Sequence, residues 1–490
     1  MLSLLGLALW VRAFGLSSMG LYRDDAWPLL ATRTGLGRGL RIGVTTPGFE
    51  LFLRWWGALG SSTRWMQAAP LAASLAGVAA TYLLARGLGC RRPPAMVAGG
   101  IMALAPMAVV FGTRLKPYAF DALSCCVLLA AAVGVASGPS LRRWAGLSAL
   151  AAAAPLFSAS TLPVALTAIL WCGWTTGWAP DVTRTGRRMA IAIPATYIVA
   201  MAAYAVTVLG AVPPPLHDSW ASHYVSGPAS ARFVLDEFAA GIFYRHGPTG
   251  PLLLAAAAAG LVWARRDLAL LVLGPVALAF CLAVAHRAPF GGGRVDIHLY
   301  PCIALAVALT IERVLDRWGR LDGHLPAVAV VAGLALAATV TGHRLADRNP
   351  YPGVDTAGMI AAFRADLRPG DGVVVAPFTR YAFALYDRRP PRVILSSRYS
   401  TGFTVASRDP DVLILPAEFY ETGYDPGAAV GFGRQRIRIW FLATDTPPTD
   451  TAPEVQDHEY EPERRLLADG FVVERRVDVA GGHLDLLVRA

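Results

Sequence analysis

A polytopic α-helical membrane protein carrying a C-terminal α/β domain is the fold class this sequence predicts, and three observations predict it. The 490 residues are 55% hydrophobic and only 16% charged, against about a quarter charged in soluble domains. Long apolar windows recur up to about residue 345 and then stop. Beyond that point short β-branched runs alternate with turn residues, the pattern of a water-soluble mixed domain.

Crossing ~30 Å of hydrocarbon takes about 20 residues. Windows at 1–18, 66–87, 94–112, 117–137, 142–156, 158–178, 188–211, 249–264, 267–286, 298–315 and 324–343 predict about eleven transmembrane helices, with Pro155 and Pro163 interrupting the 142–178 pair. The first window lacks a basic start and a clear small-x-small cleavage site, so between a signal peptide and an uncleaved span it reads better as the span. With the N-terminus inside, the short inner loops carry Arg86, Arg91 and Arg92, then Arg142 and Arg143, Arg184, Arg187 and Arg188, Arg265 and Arg266, and Arg313, Arg317 and Arg320. That distribution satisfies the positive-inside rule. The exceptions fall outside: Arg23, Arg33, Arg38 and Arg41, then Arg114 with Lys116 (the sole lysine), and Arg294. Cations that break the rule suggest an anionic ligand.

This topology gives a transmembrane domain over 1–345, with large outer loops at 19–65 and 212–248, and a soluble extracytoplasmic domain over 346–490. The first loop holds an amphipathic run, Phe49 to Leu59, suited to the membrane interface. The second holds a helical stretch from Ala229 to Phe243. In the tail, a helix is expected near Thr356–Leu367, with strands at Val373–Ala376, Val393–Ser396, Val412–Leu415, Arg438–Ala443 and Val472–Val479. The last pairs with His483–Val488 across Gly481-Gly482. The tail shows no phosphate loop, dinucleotide fingerprint or nucleophile elbow. The six cysteines lie in or beside apolar stretches and read as small core residues.

Three constellations carry chemistry. Asp24-Asp25 follows the first span; it reads either as an acidic start to a helix or as a general base that takes a proton from an attacking hydroxyl. Thr113-Arg114-Leu115-Lys116-Pro117-Tyr118 ends the third span. Its cations read either as interfacial anchors or as a phosphate site, the guanidinium bidentate and the ammonium a point charge. Asp121, one turn on, would fall inside the next span, where an ionisable residue needs a partner; Arg114 or Lys116 would serve. Gly291-Gly292-Gly293-Arg294-Val295-Asp296-Ile297-His298-Leu299-Tyr300-Pro301 opens the tenth span. Its glycines permit close backbone approach, and Arg294 and His298 share a face if the α-helix begins early. Asp236-Glu237, His217, Asp218, His223, Arg245 and His246 are lesser candidates in the second outer loop. Their spacing is not diagnostic of metal, so no cofactor is expected.

In this order, the three constellations resemble the C-type glycosyltransferase (GT-C) superfamily, in the bacterial branch related to protein O-mannosyltransferases and lipid A aminoarabinose transferases. Asp24-Asp25 stands where members carry an acidic pair, usually Asp-Glu. Thr46-Pro47-Gly48-Phe49-Glu50-Leu51-Phe52-Leu53 is similar to a Pro-containing interfacial segment. Arg114 through Tyr118 looks like a basic-Pro-Tyr run, and Gly293-Arg294 through Tyr300-Pro301 like the start of a late span. The second acid is Asp rather than Glu, which leaves open which carboxylate acts, and His298 stands where an aromatic is commoner.

The resemblance implies an inverting glycosyltransferase of the plasma membrane. It would move a hexose or pentose, of mannose or arabinose type, from a polyprenyl-phosphate donor to an acceptor hydroxyl of a cell-envelope glycan, lipid or protein on the outer face. It implies Asp24 as base with Asp25 beside it, and Arg114, Lys116, Tyr118, Arg294 and His298 around the donor phosphate. Arg23, Asp121, Asp296, Tyr300 and Glu237 are further candidates for substrate contact. No nucleic-acid partner is expected. The competing reading is a transporter or flippase for a lipid-linked or anionic substrate. That would favour internal repeats and ionisable residues at mid-membrane, whereas these charges gather at one surface. A sensor built on the outer domain would not need three polar constellations at the ends of different spans.

Overall fold

The computed structural model describes residues 1–16, 20–21, 23–32, 46–177, 184–207, 214–243, 247–318, 333, 354–387, 389–418, 421, 423–444 and 458–490. Its contacts divide the chain into two compact units.

The first unit comprises Met1–Leu16, Gln67–Leu209 and Trp220–Asp347 and is helical. Helices at Leu2–Ala13, Thr63–Gly87, Arg92–Leu104, Tyr118–Ser137, Leu141–Phe157, Leu162–Gly177, Arg184–Thr207, Thr249–Ala264, Arg266–Val284 and Tyr300–Trp318 fall on ten of the eleven apolar windows. All but Gly333 of the 324–343 window lies outside the described residues. Among the described residues, four helices are long and apolar enough to cross a membrane, or five if a bent pair counts as one span. The expected count of eleven is therefore not reproduced by length and composition. Leu2–Ala13, with 12 residues, rises only ~18 Å.

Proline chemistry shapes the breaks. Pro163 sits in the first turn of Leu162–Gly177, where its missing N–H costs nothing, and the interruption falls instead at Ser158 and the 3₁₀ turn Ala159–Thr161. The 94–112 window is not one helix. It bends by 62° between Arg92–Leu104 and Pro106–Thr113. Pro106 cannot donate to the preceding turn, and it pushes Ala105 out of the helical region to ψ 125°.

The second unit comprises Ser17–Met66, Gly210–Ser219 and Arg348–Ala490. Its strands are β1 Gly372–Val375, β2 Arg392–Leu395, β3 Phe403–Ala406, β4 Val412–Ile414, β5 Arg438–Thr444, β6 Phe471–Val479 and β7 Gly482–Arg489. Five form a sheet in the order β4-β1-β5-β7-β6, and β2 pairs with β3 alone. β1 runs parallel to β4 and β5, while β5, β7 and β6 are antiparallel. The expected hairpin closes at Gly481, whose φ of 73° favours glycine. Successive residues point to opposite faces. Val373, Val375, Trp440 and Leu442 enter one apolar cluster, and Val374, Ile439, Phe441 and Ala443 another. Both faces are therefore covered, as a partly parallel sheet requires.

Candidate active site

In the second unit, Asp24 and Asp25 occupy the first turn of the Arg23–Thr32 helix. Its apolar residues Ala26, Trp27, Leu30 and Ala31 join the sheet-domain core beside Met359, Tyr381, Phe383 and Trp440. Their spacing of one and four residues defines one side of the helix. Asp25, only 1% exposed, lies off that side, and Asp24 is half-buried. The chain entering this helix is pinned by Gly20 N–H to the Val354 carbonyl at 3.0 Å and by Leu21 N–H to the Tyr386 hydroxyl at 2.7 Å. A helix N-terminus favours the ionised carboxylates a base needs. The Arg23 side chain, Tyr22, Arg33, Arg38 and Arg41 lie outside the described residues.

Helix Pro47–Leu59 packs against the acid helix and buries Phe49, Glu50 and Leu53. It exposes Leu51, Trp55 and Leu59, a stripe four residues apart that suits a bilayer surface. Burial pushes the Glu50 carboxyl up to about 7 against the pull of Arg54.

In the first unit, the basic run follows the broken helix. A 3₁₀ turn, Phe111–Thr113, leads into an extended Arg114. Lys116 N–H then returns to the Arg114 carbonyl at 2.7 Å, and Pro117 caps Tyr118–Ser137. Phe111 meets the Tyr118 ring edge-on at 5.2 Å. Arg114 and Lys116 are only 6% and 7% exposed. A guanidinium and an ammonium placed one residue apart offer a bidentate donor and a point charge, the chemistry that suits a phosphate.

The glycine segment packs on the same elements: the Arg294–Leu299 turn lies against Tyr118–Ser137 and Pro106–Val110. Each glycine is approached by the chain's own atoms. A Cβ on Gly291 would strike the Val234 carbonyl, one on Gly292 the Trp220 ring, and one on Gly293 would lie 3.1 Å from Met107. The expected close approach is thus made by the protein itself. Asp296, 1% exposed, accepts from Gly291 N–H at 2.8 Å, and the Tyr300 hydroxyl donates to the Gly293 carbonyl at 2.9 Å. Both acidic and phenolic groups therefore brace the loop that holds Arg294. The Arg294 guanidinium sits over the Trp220 ring at 5.1 Å. Burial, helped by the Arg294 charge, holds the His223 imidazole below its usual range.

Arg294–Leu299 is a 3₁₀ helix, which corrects the shared face expected for Arg294 and His298. At three residues per turn, positions three apart eclipse and positions four apart diverge. His298 is 4% exposed and its Nδ1 lies 3.0 Å from the Val295 carbonyl.

Comparison with solved structures places this architecture. ArnT from Cupriavidus metallidurans in its apo state is matched with a TM-score of 0.54 at 14% identity, covering 99% of this chain and 97% of that one. The structure of the same protein bound to undecaprenyl phosphate is matched with a TM-score of 0.57 at 16% identity, again over 99% and 97%. No family model and no curated protein matches. The chain has the ArnT fold.

The fold implied by that resemblance is thus the one found. Within the first unit of this ArnT-like chain, the basic-Pro-Tyr run and the Gly-Arg segment lie on mutually packed elements. Asp121 does not take the partner expected for it. It is 1% exposed, its polar neighbour is Ser158, and among the described residues neither carboxylate oxygen meets a donor in hydrogen-bond geometry. Glu237 is half-buried on Pro228–Phe243. Asp236 from the same helix lines an open cavity of about 240 Å³ with Arg232, Phe233 and Pro248. Arg245 and His246 lie outside the described residues.

Two groups had no place in the sequence-based reading. Arg12 is buried in the first apolar helix, and its signal was simply an arginine inside a hydrophobic window. Glu463, His483 and Asp485 converge as possible metal ligands. No local spacing connects Glu463 with the hairpin residues. Arg476 bonds Asp485 through Nε at 2.8 Å and approaches Glu463 at 3.6 Å, so a cation already stands against both carboxylates.

Proposed function

We propose that this protein is an inverting glycosyltransferase that takes its sugar from a polyprenyl-phosphate donor. The observation that carries the reading is the burial of Arg114 and Lys116 beside a second basic segment, within a fold whose solved example binds undecaprenyl phosphate.

In this mechanism Asp24 takes the proton of an acceptor hydroxyl, and Asp25 orients the acid or the acceptor. The hydroxyl oxygen attacks the anomeric carbon as the bond to the phosphate oxygen breaks, inverting the anomeric centre in one displacement. The leaving group is a lipid phosphate, and it departs unprotonated if cations receive its charge. Arg114, Lys116 and Arg294 fill that role, where low dielectric strengthens them. Tyr118 and His298 line the phosphate side, and Asp296 and Tyr300 act through the loop that presents Arg294. Asp121, Glu237 and Arg23 are assigned to substrate contact. The site and the sheet domain face the outside of the plasma membrane, and the acceptor is an envelope glycan, lipid or protein.

The test is transfer by purified protein from labelled polyprenyl-phosphate sugars, comparing wild type with Asp24→Asn. We expect transfer to fall by at least 100-fold, the scale of a lost general base, with donor binding retained. Unchanged transfer would remove Asp24 from this role.

A further inference from the structure

Arg12 makes five hydrogen bonds while 1% exposed. Its Nε donates to Ser74 Oγ at 2.7 Å. Nη1 donates to the Ala8 and Ala103 carbonyls at 3.2 and 2.8 Å, and Nη2 to Met102 and Ala108 at 3.1 and 3.4 Å. A guanidinium has five N–H donors, and all are used. Three of the accepting carbonyls belong to the broken helix. Pro106 has no N–H to offer Met102, and the bend removes the amide that would have served Ala103. Ala108 lies near the end of the short Pro106–Val110 segment. In a membrane, unsatisfied carbonyls must find a donor within the protein.

The same guanidinium reaches towards the basic run. A Cβ on Gly112 would stand 2.9 Å from Arg12 Nε and 3.0 Å from Ser74 Oγ. One turn of chain past Arg12, the Gly15 carbonyl accepts from Thr113 Oγ1 at 3.1 Å. The end of the first helix therefore grips Gly112 and Thr113 immediately before Arg114.

We propose that Arg12 is a positioning residue for the lipid-phosphate site: it completes the hydrogen bonding of the broken helix and thereby sets the place of the Arg114–Lys116 run. This rests on the reading of that run as the donor-phosphate site. A charge alone does not do this, because Lys offers one nitrogen where Arg spans five acceptors.

The experiment measures undecaprenyl phosphate affinity and donor KM for full-length protein in nanodiscs. Arg12→Lys keeps the charge, Gly112→Ala crowds the guanidinium without removing it, and Ser74→Ala removes one bond. We expect Kd and donor KM to rise at least ten-fold in Arg12→Lys and Gly112→Ala, and two- to three-fold in Ser74→Ala. At saturating donor, kcat stays within about two-fold. A purely structural role would instead lower the folded fraction and kcat, leaving donor KM unmoved, and that result overturns the proposal. If Arg12→Lys does not fold, the other two variants decide it. Arg114→Gln with Lys116→Gln separates the two claims. Wild-type binding in that double variant defeats the phosphate-site reading itself. Lost binding there, with wild-type Kd in the Gly112 and Ser74 variants, defeats the role of Arg12 alone.

Discussion

At the residue scale, burial sets what each charge can do. Arg380, Glu418 and Glu421 are fully buried and paired, Arg380 Nη1 to Glu418 and Nη2 to Glu421, both at 3.2 Å. They stand at the start of Arg380–Tyr386, the helix on which the acid helix rests. Glu463 shows the titrating counterpart. Burial, with the neighbouring Asp485, pushes its carboxyl up to about 7 from 4.5, whereas Arg476 outweighs burial at Asp485 and holds that carboxyl low. A raised acid binds more protons folded than unfolded, so its contribution is full below about 4.5 and disappears as pH rises through about 7. Asp485 contributes throughout the range above its unfolded value and does not alter that slope. We therefore expect the melting temperature to fall between pH 5 and pH 8, and the fall to shrink in Glu463→Gln. Thermal denaturation of both proteins across that range checks it, and equal slopes would contradict it. The three constellations were legible because charge stands out against apolar sequence. Arg12 was not, since a hydropathy window averages one arginine away and says nothing of the carbonyls it meets.

At the scale of elements, apolar windows located ten helices because a bilayer demands long runs, but length was overstated at 94–112, where Pro106 breaks the helix, and at 158–178, where a 3₁₀ turn precedes it; Pro70, Pro155 and Pro275 lie inside unbroken helices. The 94–112 window took no account of Pro106, and nothing local in the sequence records the repair of that break by a side chain from another helix. The helical register of Arg294–Leu299 was misjudged because 3₁₀ and α pitch leave the same short pattern. β3, Phe403–Ala406, was missed: four residues acquire strand character only through the pairing with β2, Leu395 opposite Phe403. The glycine segment gives a test at this scale. Gly291 combines a φ of 81° with a Cβ position blocked by the Val234 carbonyl. Gly291→Ala should cost on the order of 1–3 kcal/mol from backbone strain alone, and it should loosen Arg294, seen as weaker undecaprenyl phosphate binding. A variant with unchanged melting and binding would show that the loop does not depend on this glycine.

At the scale of the whole molecule, the change of composition near residue 345 was plain, and the sheet domain follows it. That the Asp24-Asp25 helix contributes to the same core as the sheet was not legible. Trp27 and Trp440 share a cluster across some four hundred residues of sequence, and no local periodicity records such a contact. The sequence placed the acid pair in a loop after the first span, and the packed platform beneath it comes from this distant contact. The proposed function assigns these parts their roles: a carboxylate base, cations for a lipid phosphate, and a bilayer for the polyprenyl tail. The most direct measurement is release of free polyprenyl phosphate by the purified protein in nanodiscs, offered a panel of labelled polyprenyl-phosphate sugars with envelope acceptors. The account predicts time-dependent release matched mole for mole by labelled acceptor of inverted anomeric configuration. Neither release nor donor binding across the panel, with movement of an anionic lipid between leaflets instead, would contradict it.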